Sequence, residues 1–408
     1  MHILFVTMSC SQRLANRLFE ETHRDPSFQI IKFTRLLLEG FNHNNADVET
    51  LCGLSSEVNR FYWKEPDEVI KNIRYRYISF FEMPVLRQLC ILIGAFFKTM
   101  SWIIRTRKNP NDRIIIHDVL ANSACLGSRF AAKLCHIPTC ALVTDMPGLS
   151  VNEKIAKKQP LYNLILRTRA RQINKRINSY SSYILLTEQM NSVINTHHRP
   201  YVVMEGLVDI DDIPETNIET KKHSSVILYA GALYEQYGLK AFIDAVMLSS
   251  HKNIELHLYG QDKGSGFKDY ILSCAKRDKR IIYKGLAKNE DIVKAEQAAA
   301  LLINPRFSNL EIAQYSFPSK NMEYMLSGTP LLTTRLPGMP KEYYDYVYTF
   351  DEESTNGFAK KIDEIFSLSA EELQLKGEKA KEFVLREKNN VKQAQRILTM
   401  FKTFIHDN

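Results

Sequence analysis

The sequence alternates short apolar runs with longer segments of helical periodicity. Residues 3–7 and 114–116, for example, are almost entirely apolar and show no alternation with polar residues. Residues 29–42 instead place Ile30, Phe33 and Leu37 at helical spacing. Continuous apolar runs between helices are typical of parallel strands that are covered on both faces. The pattern therefore predicts an α/β chain built on doubly wound parallel sheets.

The alternation of apolar runs and helical segments begins twice along the chain, which predicts two domains. Residues 206–222 are rich in Asp, Pro, Thr and Lys, lack a helical period and are interpreted as a linker. A length of 408 residues also suits two domains of about 200 residues each. Predicted strands cover 3–7, 47–51, 114–116, 140–143 and 183–186 before the linker, and 226–229, 254–259, 281–283, 300–303, 330–333 and 347–350 after it. Helices are expected over about 239–248 and from about 370 onwards.

Composition narrows the partners and the compartment. A formal net charge of +8 favours anionic partners weakly, among them nucleotide sugars, lipid phosphates and anionic membranes. Nucleic acid is the least favoured, because no zinc-finger spacing, RNP-like aromatic pattern or basic heptad region is present. Seven cysteines without a C-x-x-C pair predict reduced thiols in a cytoplasmic protein, with neither a disulfide framework nor a zinc site.

No membrane-spanning segment or signal peptide is expected. The longest apolar run, 89–97, has nine residues, against the roughly 20 that a spanning helix needs. Two segments nevertheless leave contact with a membrane surface open. The apolar helix around 89–104 is either core or a membrane-contacting helix. A basic stretch is either a solvated helix face or such a contact; it consists of Arg167, Arg169, Arg171, Lys175 and Arg176.

The strongest local signal lies in residues 315–330. Pro318 or Ser319 is typical of a helix start, and Gly328 of its C-terminal stop. The amides of that first turn and the Lys320 ammonium would form an anion site suited to a diphosphate. Glu323, one turn further on, could accept two ribose hydroxyls. Alternatively, Lys320 and Glu323 are an ordinary solvated pair at i, i+3, and the residues alone leave both interpretations open.

These motifs resemble those of retaining GT-B glycosyltransferases (family-four-like, glycosyl transferases group 1). The segments Phe-Pro-Ser-Lys at 317–320 and Gly-Thr-Pro-Leu-Leu at 328–332 resemble the donor-binding helix of that family. Further segments follow in family order: Tyr-Ala-Gly-Ala-Leu at 229–233, Tyr-Lys-Gly at 283–285 and Asn-Pro-Arg at 304–306. The resemblance extends over nearly the whole chain. It implies two Rossmann-like, doubly wound domains facing across a cleft, with 1–206 binding the acceptor and 207–387 binding the donor. A C-terminal helix, about 388–408, would pack back on the first domain.

The resemblance also implies roles for individual residues. Pro318, Ser319 and Lys320 resemble diphosphate binders, and Glu323 the glutamate that holds the donor ribose. Gly231 resembles the glycine that lets the phosphates approach the backbone, and Gly285 a residue lining the base pocket. In the first domain, Asp145 lies near the position that faces the sugar. His117 falls at a strand end where relatives often have a His-containing turn.

Three departures place the chain in a divergent branch marked by Phe-Pro-Ser-Lys. The family's first glutamate falls at Tyr315, and the usual Arg and Lys after the glycine turn fall at Ala232 and Tyr237. No Gly-Gly turn follows the first strand. The cations that stabilise the leaving diphosphate are therefore expected from Lys320 and Arg306, with Tyr237 near the phosphates. No metal or other cofactor is expected, because lysine and the helix dipole would take the metal's place.

The predicted function is transfer of a sugar from a nucleotide-diphosphate sugar, with retention of the anomeric configuration. A UDP-sugar is the favoured donor. The expected acceptor is a glycan or a lipid-diphosphate-linked glycan in the synthesis of a bacterial capsule or exopolysaccharide, at the inner face of the membrane. Two alternatives remain open: a non-catalytic GT-B subunit that supports a partner transferase, and a nucleotide-sugar epimerase. A dinucleotide oxidoreductase is poorly supported, since no G-x-G-x-x-G follows the first strand.

Overall fold

A computed structural model describes residues 1–54, 58, 60–146, 173, 175–213, 224–262, 264 and 266–406. The chain forms two compact units: unit 1 comprises Met1–Leu207 with Asn390–Asn408, and unit 2 comprises Val208–Asn389. Most of the predicted linker lies outside the described residues, as do Arg167, Arg169 and Arg171.

Unit 1 contains a large, mainly parallel sheet with helices on its faces. The strands found in its described part are β1 His2–Thr7, β2 Asp47–Cys52, β3 Tyr62–Trp63, β4 Glu68–Ile70, β5 Ile73–Tyr77, β6 Phe80–Phe81, β7 Arg113–Asp118, β8 Thr139–Val143, β9 Ser182–Leu185 and β10 Tyr201–Val203. Its helices include α1 Gln12–Thr22, α2 Phe28–His43, α3 Pro84–Arg105, α4 Asn122–Leu134 and α5 Glu188–Ile194. The sheet order is β10-β9-β8-β7-β1-β2-β5-β4.

The apolar runs predicted as strands in this half are strands, and residues 29–42 lie within α2. The segment from 62 to 81 was not predicted as sheet, and it departs from the expected parallel pattern. There β4 pairs antiparallel with β5, and β3 pairs antiparallel with β6. The β4–β5 connection turns at Lys71 and Asn72, whose φ angles are 48° and 63°. A left-handed turn without glycine gives little sequence signal, because non-glycine residues rarely adopt that conformation.

A helix from the C-terminal part of the chain completes the core of unit 1. Helix α13, Asn390–His406, packs on α2, and its Ala394, Ile397 and Phe401 are fully buried. The approach is close at Gly40 of α2, where a Cβ would lie 2.2 Å from the Asn390 carbonyl oxygen. Only glycine permits such a contact.

Helix α3 is longer and more apolar than the nine-residue run suggested. By length and composition alone it is the one helix in the described part of the chain that could cross a membrane, with a mean hydropathy of 1.3. This corrects the expectation that no segment is long enough. The indication is weak, because core helices of soluble proteins can have the same properties. About a third of its most apolar window is buried inside unit 1.

Unit 2 is a second doubly wound fold with a parallel sheet. Its strands in the described residues are β11 Val226–Ala230, β12 Glu255–Tyr259, β13 Ile281–Gly285, β14 Leu301–Asn304, β15 Leu331–Thr333 and β16 Tyr348–Thr349, in the order β13-β12-β11-β14-β15-β16. Its helices include α6 Leu239–Leu248, α7 Phe267–Arg277, α8 Asn289–Ala298, α9 Glu311–Gln314, α10 Ser319–Leu326, α11 Thr355–Phe366 and α12 Ala370–Glu387, and 3₁₀ turns cover Glu235–Tyr237 and Lys341–Asp345.

Each large sheet has one point where the strand order reverses. In unit 2, β11 lies between β12 and β14, so successive connections leave it in opposite directions. In unit 1, β1 lies between β2 and β7 in the same way. Ligands of open α/β sheets bind outside the carboxyl ends of the strands at such switch points. The residues that follow β11 and β14 are therefore the first candidates for a site in unit 2.

Candidate anion-binding site of unit 2

The carboxyl ends of β11, β12 and β13 are joined by backbone contacts that only glycine permits. The Gly231 amide donates to the Tyr259 carbonyl at 3.0 Å, and the Gly260 amide donates to the Gly285 carbonyl at 2.8 Å. Gly260 has a φ of +135°, and a Cβ on it would lie 1.8 Å from the Gly231 oxygen. Two of the predicted donor-site glycines, Gly231 and Gly285, are thus linked through Gly260, which the sequence analysis did not single out.

The turn after β11 also touches the turn after β14. Gly238 follows the 3₁₀ turn Glu235–Tyr237 with a φ of +77°, and a Cβ there would lie 2.0 Å from the Pro305 carbonyl oxygen. This contact brings Tyr237 beside Arg306. The guanidinium carbon of Arg306 lies 5.2 Å from the centre of the Tyr237 ring, within the range of a cation–π interaction.

Arg306 is a partly desolvated cation with unused hydrogen-bonding capacity. Its Nε is buried and has no hydrogen-bond partner among the described residues. Burial lowers the pKa of its guanidinium, and the nearby Tyr237 and Tyr229 oppose that shift. A buried donor without an acceptor is costly. An anion between the ends of β11 and β14 would supply one.

Helix α10 is fixed to the same two strand ends by buried polar side chains. The Tyr324 hydroxyl accepts a hydrogen bond from the Ala230 amide at 2.8 Å and donates to the Ala230 carbonyl at 3.1 Å. The Asn304 side-chain amide donates to Asn321 Oδ1 at 2.7 Å. Sequence reasoning missed Asn321 and Tyr324. The signal that could have identified them is their spacing, because two polar side chains three residues apart lie on the otherwise apolar face of this short helix.

The start and stop of α10 confirm the prediction made from the sequence. The helix begins at Ser319 after Pro318, and Gly328 follows its end with a φ of +72°. Pro318 makes no side-chain capping hydrogen bond to the first turn. The side chain of Pro318 therefore leaves the backbone amides of Ser319 and Lys320 uncapped. Uncapped amides at a helix start attract anions.

Lys320 and Glu323 form an ion pair on the outer face of α10. Their Nζ and Oε2 atoms are 3.3 Å apart, and the side chains are 32% and 42% exposed. This is the i, i+3 pairing that the residues alone left open. Half-exposed pairs of this kind contribute about 0–1 kcal/mol to stability. A diphosphate or a ribose hydroxyl could replace either partner at little cost, so the pairing fits both interpretations.

His117 is buried in unit 1. The residue is fully buried on β7, and neither ring nitrogen has a hydrogen-bond partner within the described parts of the chain. Burial, assisted by Arg129, lowers the pKa of the imidazole to about 3, so the ring is neutral. The ring packs edge-on against Tyr180 at 5.4 Å. The catalytic role that the family resemblance suggests for His117 stays a prediction.

The carboxylates near His117 lie at the carboxyl ends of neighbouring strands. Asp118 accepts a hydrogen bond from Thr7 Oγ1 at 3.2 Å and from the Leu120 amide at 3.2 Å. Its burial raises the pKa of the carboxyl to about 6. Asp145 lies two residues after β8, and partial desolvation raises its pKa as well. Sequence reasoning missed Asp118, although a carboxylate that ends an apolar strand was visible in the sequence.

One sequence motif bears on the expected absence of a metal. Residues 209–211 read Asp-Ile-Asp, an Asp-x-Asp triplet of acidic residues that could hold a cation. Asp209 is buried, and its Oδ1 accepts a hydrogen bond from the Asp211 amide at 3.0 Å. The sequence thus contains a motif that can bind a cation. The expectation that no metal is required is supported only by the cations and the helix start of the candidate site.

Comparison with known proteins supports the fold and the domain type. Residues 212–383 match the sequence model of the family described as Glycosyl transferases group 1. None of the curated proteins compared with the chain matches it. HepE from Anabaena, in complex with UDP, is 13% identical, with a TM-score of 0.61 over 99% of this chain and 100% of that one. HepE is also known in complex with UDP-glucose.

Two further solved structures are similar over their whole length. Sucrose-phosphate synthase from Thermosynechococcus elongatus is 10% identical, with a TM-score of 0.64 and coverage of 100% of both chains. The lipopolysaccharide outer core galactosyltransferase WaaB is 14% identical, with a TM-score of 0.61 and coverage of 99% of both chains. At these identities the likeness shows the fold alone. It confirms the predicted α/β class with two Rossmann-like domains, and together with the family match it supports a GT-B glycosyltransferase.

Proposed function

We propose that this chain is a retaining glycosyltransferase that moves a sugar from a nucleotide-diphosphate sugar to a glycan or lipid-linked acceptor of a bacterial surface polysaccharide. The observation that carries the proposal is Arg306, a half-buried cation at the switch point of unit 2 whose Nε has no hydrogen-bond partner in the described part of the chain. The family match over 212–383 covers this site. The UDP and UDP-glucose complexes of HepE favour a UDP-sugar as donor.

The donor diphosphate would lie between the glycine turn and the start of α10. Gly231 offers backbone without a Cβ, and the first-turn amides beside Pro318 and Ser319 offer donors. Glu323 would accept hydroxyls of the ribose, and Gly285 would line the base pocket. The hydrogen bonds of Tyr324 and Asn321 would keep these groups in place before the donor binds.

Arg306 and Lys320 would stabilise the leaving diphosphate. As the bond from the anomeric carbon to the diphosphate breaks, negative charge collects on the phosphate oxygens. A preorganised, partly desolvated guanidinium stabilises such charge more strongly than a hydrated one, because the local dielectric is lower. These two cations would take over from the Arg and Lys that the family resemblance places at Ala232 and Tyr237.

Retention would follow from attack of the acceptor hydroxyl on the same face from which the diphosphate leaves. In this scheme the departing phosphate oxygen accepts the hydroxyl proton, so no carboxylate nucleophile is required. Metal is not required either, because Arg306, Lys320 and the helix start supply the positive charge. We assign acceptor binding to unit 1 and donor binding to unit 2, and we place Asp145 and Asp118 among the candidates for contact with the acceptor sugar.

The enzyme would act in the cytoplasm, at the inner face of the membrane where a lipid-diphosphate-linked acceptor is available. A capsule or exopolysaccharide pathway is the setting that such an acceptor implies.

A thermal-shift screen with UDP-, GDP-, ADP-, CMP- and dTDP-sugars tests the donor site. We expect the wild-type melting temperature to rise with one diphosphate donor and Arg306→Gln and Lys320→Ala to lose most of that rise. Lys294→Ala is the matched control, since Lys294 is an exposed lysine of α8. If no nucleotide sugar shifts the wild type, or if all three variants respond like it, the proposed donor site is wrong.

A non-catalytic GT-B subunit is the second candidate, and the neutral residues Ala232 and Tyr237 favour it. Such a subunit would be stabilised by a donor but would neither hydrolyse nor transfer it. An epimerase would instead convert the donor with no acceptor present. Release of nucleoside diphosphate that depends on added acceptor separates the transferase from both.

A further inference from the structure

The outward side of α3 is an apolar surface that the described residues of unit 1 leave exposed. Leu89, Ile93, Phe97 and Ile104 follow one another at helical spacing and are 50%, 44%, 65% and 57% exposed. We call these four residues the α3 face. The opposite side of the helix is buried in the core of unit 1. No charged side chain lies between these residues on the outward side.

The neighbouring helix extends this surface. Helix α4 packs along α3, where Thr99 Oγ1 donates to Ser128 Oγ at 3.0 Å and the sulfurs of Cys135 and Met100 are 3.7 Å apart. On its own outward side α4 exposes Phe130 at 59%. Its last residue, Leu134, is 66% exposed. Large contiguous apolar patches mark interaction sites, so the exposed apolar residues of these two packed helices are a candidate for one.

Lys and Arg predominate in the segments that form α3 and α4, and the acidic Glu82 and Asp67 are paired with Arg87 and Lys98 of α3. Residues 83–111 and 119–144 contain Lys and Arg but neither Asp nor Glu. Arg105, at the end of α3, is neutralised by Glu49 at 2.8 Å. Arg107, Lys108 and Lys133 are exposed, and no ion pair joins them to any acidic group in the described residues. The apolar surface is therefore bordered by uncompensated positive charge.

We propose that the α3 face docks on the surface of an anionic lipid bilayer, with α3 lying in the plane of the interface. An apolar helix side bordered by Lys and Arg is the chemistry that binds such a surface. A spanning helix does not fit, because Ala95 and Trp102 on the inner side of α3 are 0% and 1% exposed within unit 1. A second copy fits poorly, because a two-fold interface would bring these cations together without an acidic partner.

Docking of this kind does not require the proposed transfer reaction. It would add to that reaction by bringing unit 1 to a lipid-linked acceptor, and the partner it names is the anionic headgroup layer.

Co-sedimentation with vesicles tests the proposal on the full chain. We expect the wild type to sediment with phosphatidylcholine vesicles that contain phosphatidylglycerol, to remain in solution with phosphatidylcholine alone, and to lose binding in high salt. Ile93→Asp with Phe97→Asp should lower the partition coefficient roughly tenfold or more. Leu375→Asp is the matched control, because Leu375 is 51% exposed in unit 2, and it should bind like the wild type.

Charge reversal supplies a second readout that leaves the apolar residues intact. Arg107→Glu with Lys108→Glu should weaken vesicle binding by roughly fivefold or more for each charge removed. Circular dichroism melts and the donor-induced thermal shift should stay at wild-type values in every variant. Those two readouts separate a failure of docking from a failure of folding or of the donor site.

Three results would overturn the proposal. The first is equal sedimentation with zwitterionic and anionic vesicles. The second is unchanged binding of Ile93→Asp with Phe97→Asp. The third is a wild-type dimer by light scattering that becomes monomeric in this double variant, without any vesicle binding. That third result would assign the α3 face to a second copy of the chain.

Discussion

The guanidinium of Arg306 lies over the ring of Tyr237, with 5.2 Å between its central carbon and the ring centre. Tyr237 occupies the position at which the family resemblance leads one to expect a lysine. The positive charge at this point of unit 2 thus comes from the turn after β14, while the turn after β11 supplies an aromatic surface. The exchange keeps a cation at the switch point and changes the strand that carries it.

Arg306→Gln should lower kcat/KM for sugar transfer by about 10²–10³-fold, because under the proposed mechanism it removes a hydrogen-bond donor to the leaving diphosphate. Arg306→Lys should recover part of the loss, since it restores charge without the planar guanidinium. Tyr237→Phe keeps the ring and should behave like the wild type, whereas Tyr237→Leu should lower activity. Steady-state transfer kinetics measure all four. A Tyr237→Leu enzyme with wild-type kinetics would show that the ring does not position Arg306.

Lys320→Ala should leave stability within about 1 kcal/mol of the wild type but strongly weaken donor binding. The change in the free energy of unfolding is small because the ion pair with Glu323 is half exposed. Chemical denaturation and calorimetric titration of the donor measure the two quantities. Glu323→Gln completes a double-mutant cycle. If stability and donor affinity both stay unchanged in Lys320→Ala, the pair is only a solvated surface contact.

Gly238→Ala should destabilise unit 2 by more than Gly266→Ala does. Both glycines precede a helix, with φ angles of +77° and +78°, so both substitutions carry a similar left-handed strain of about 1–2 kcal/mol. A Cβ at Gly266 has no atom within 4 Å, whereas one at Gly238 would lie 2.0 Å from the Pro305 oxygen. The difference in unfolding free energy isolates that contact. Equal losses would mean that the two turns can separate freely.

His117→Leu should stabilise the protein in mild acid. Burial lowers the pKa of His117 from 6.5 to about 3 in the folded protein. The neutral ring therefore costs the wild type no stability above pH 6.5, and stability is lost as the pH falls from 6.5 towards 3, because the unfolded chain binds a proton that the folded one does not. At pH 5 the variant should gain about 2 kcal/mol relative to its difference at pH 8. Denaturant melts at the two pH values measure this. A pH-independent difference would show that the imidazole is not buried in its neutral form.

Asp118→Asn should have the opposite pH dependence. Burial raises the folded pKa from 3.8 to about 6, so the carboxyl favours folding below pH 3.8, and this contribution is lost as the pH rises through 6. At pH 8 the asparagine should remove a penalty of about 3 kcal/mol. Its Oδ1 can keep the hydrogen bond from the Leu120 amide, whereas its Nδ2 would donate to Thr7 Oγ1 in place of the bond that Thr7 donates to Asp118. Thermal melts across pH 4–8 should therefore converge at acid pH and diverge at neutral pH. A constant difference between the two proteins would contradict this.

The sequence predicted well what depends on continuous apolar runs. The strand at 114–116 and the helix at 239–248 were predictable because their side chains meet the core on both faces or along one stripe. The segment from 62 to 81 was not, because its strands are short and its turn at Lys71 and Asn72 has no glycine. Short strands of this kind form because neighbouring strands pair with them, and a single sequence does not show which strands those are.

Prediction of the site followed the same division. The start of α10 could be predicted from Pro318 and Gly328, which act locally. The hydrogen bonds of Tyr324 to Ala230 span 94 residues, and no local pattern announces them. His117 shows the limit most clearly, since a histidine at a strand end has the same sequence signature whether its ring faces solvent or the core.

The position of α13 has a consequence for the order in which the protein can mature on the ribosome. Residues 1–207 emerge first, at about 5–20 residues per second, yet Ile397 and Phe401 belong to the core that those residues build. Until translation reaches them, the surface of α2 around Gly40 stays uncovered in the nascent chain. Unit 2 has no such dependence, and so the later-synthesised half can reach its native state before the earlier one.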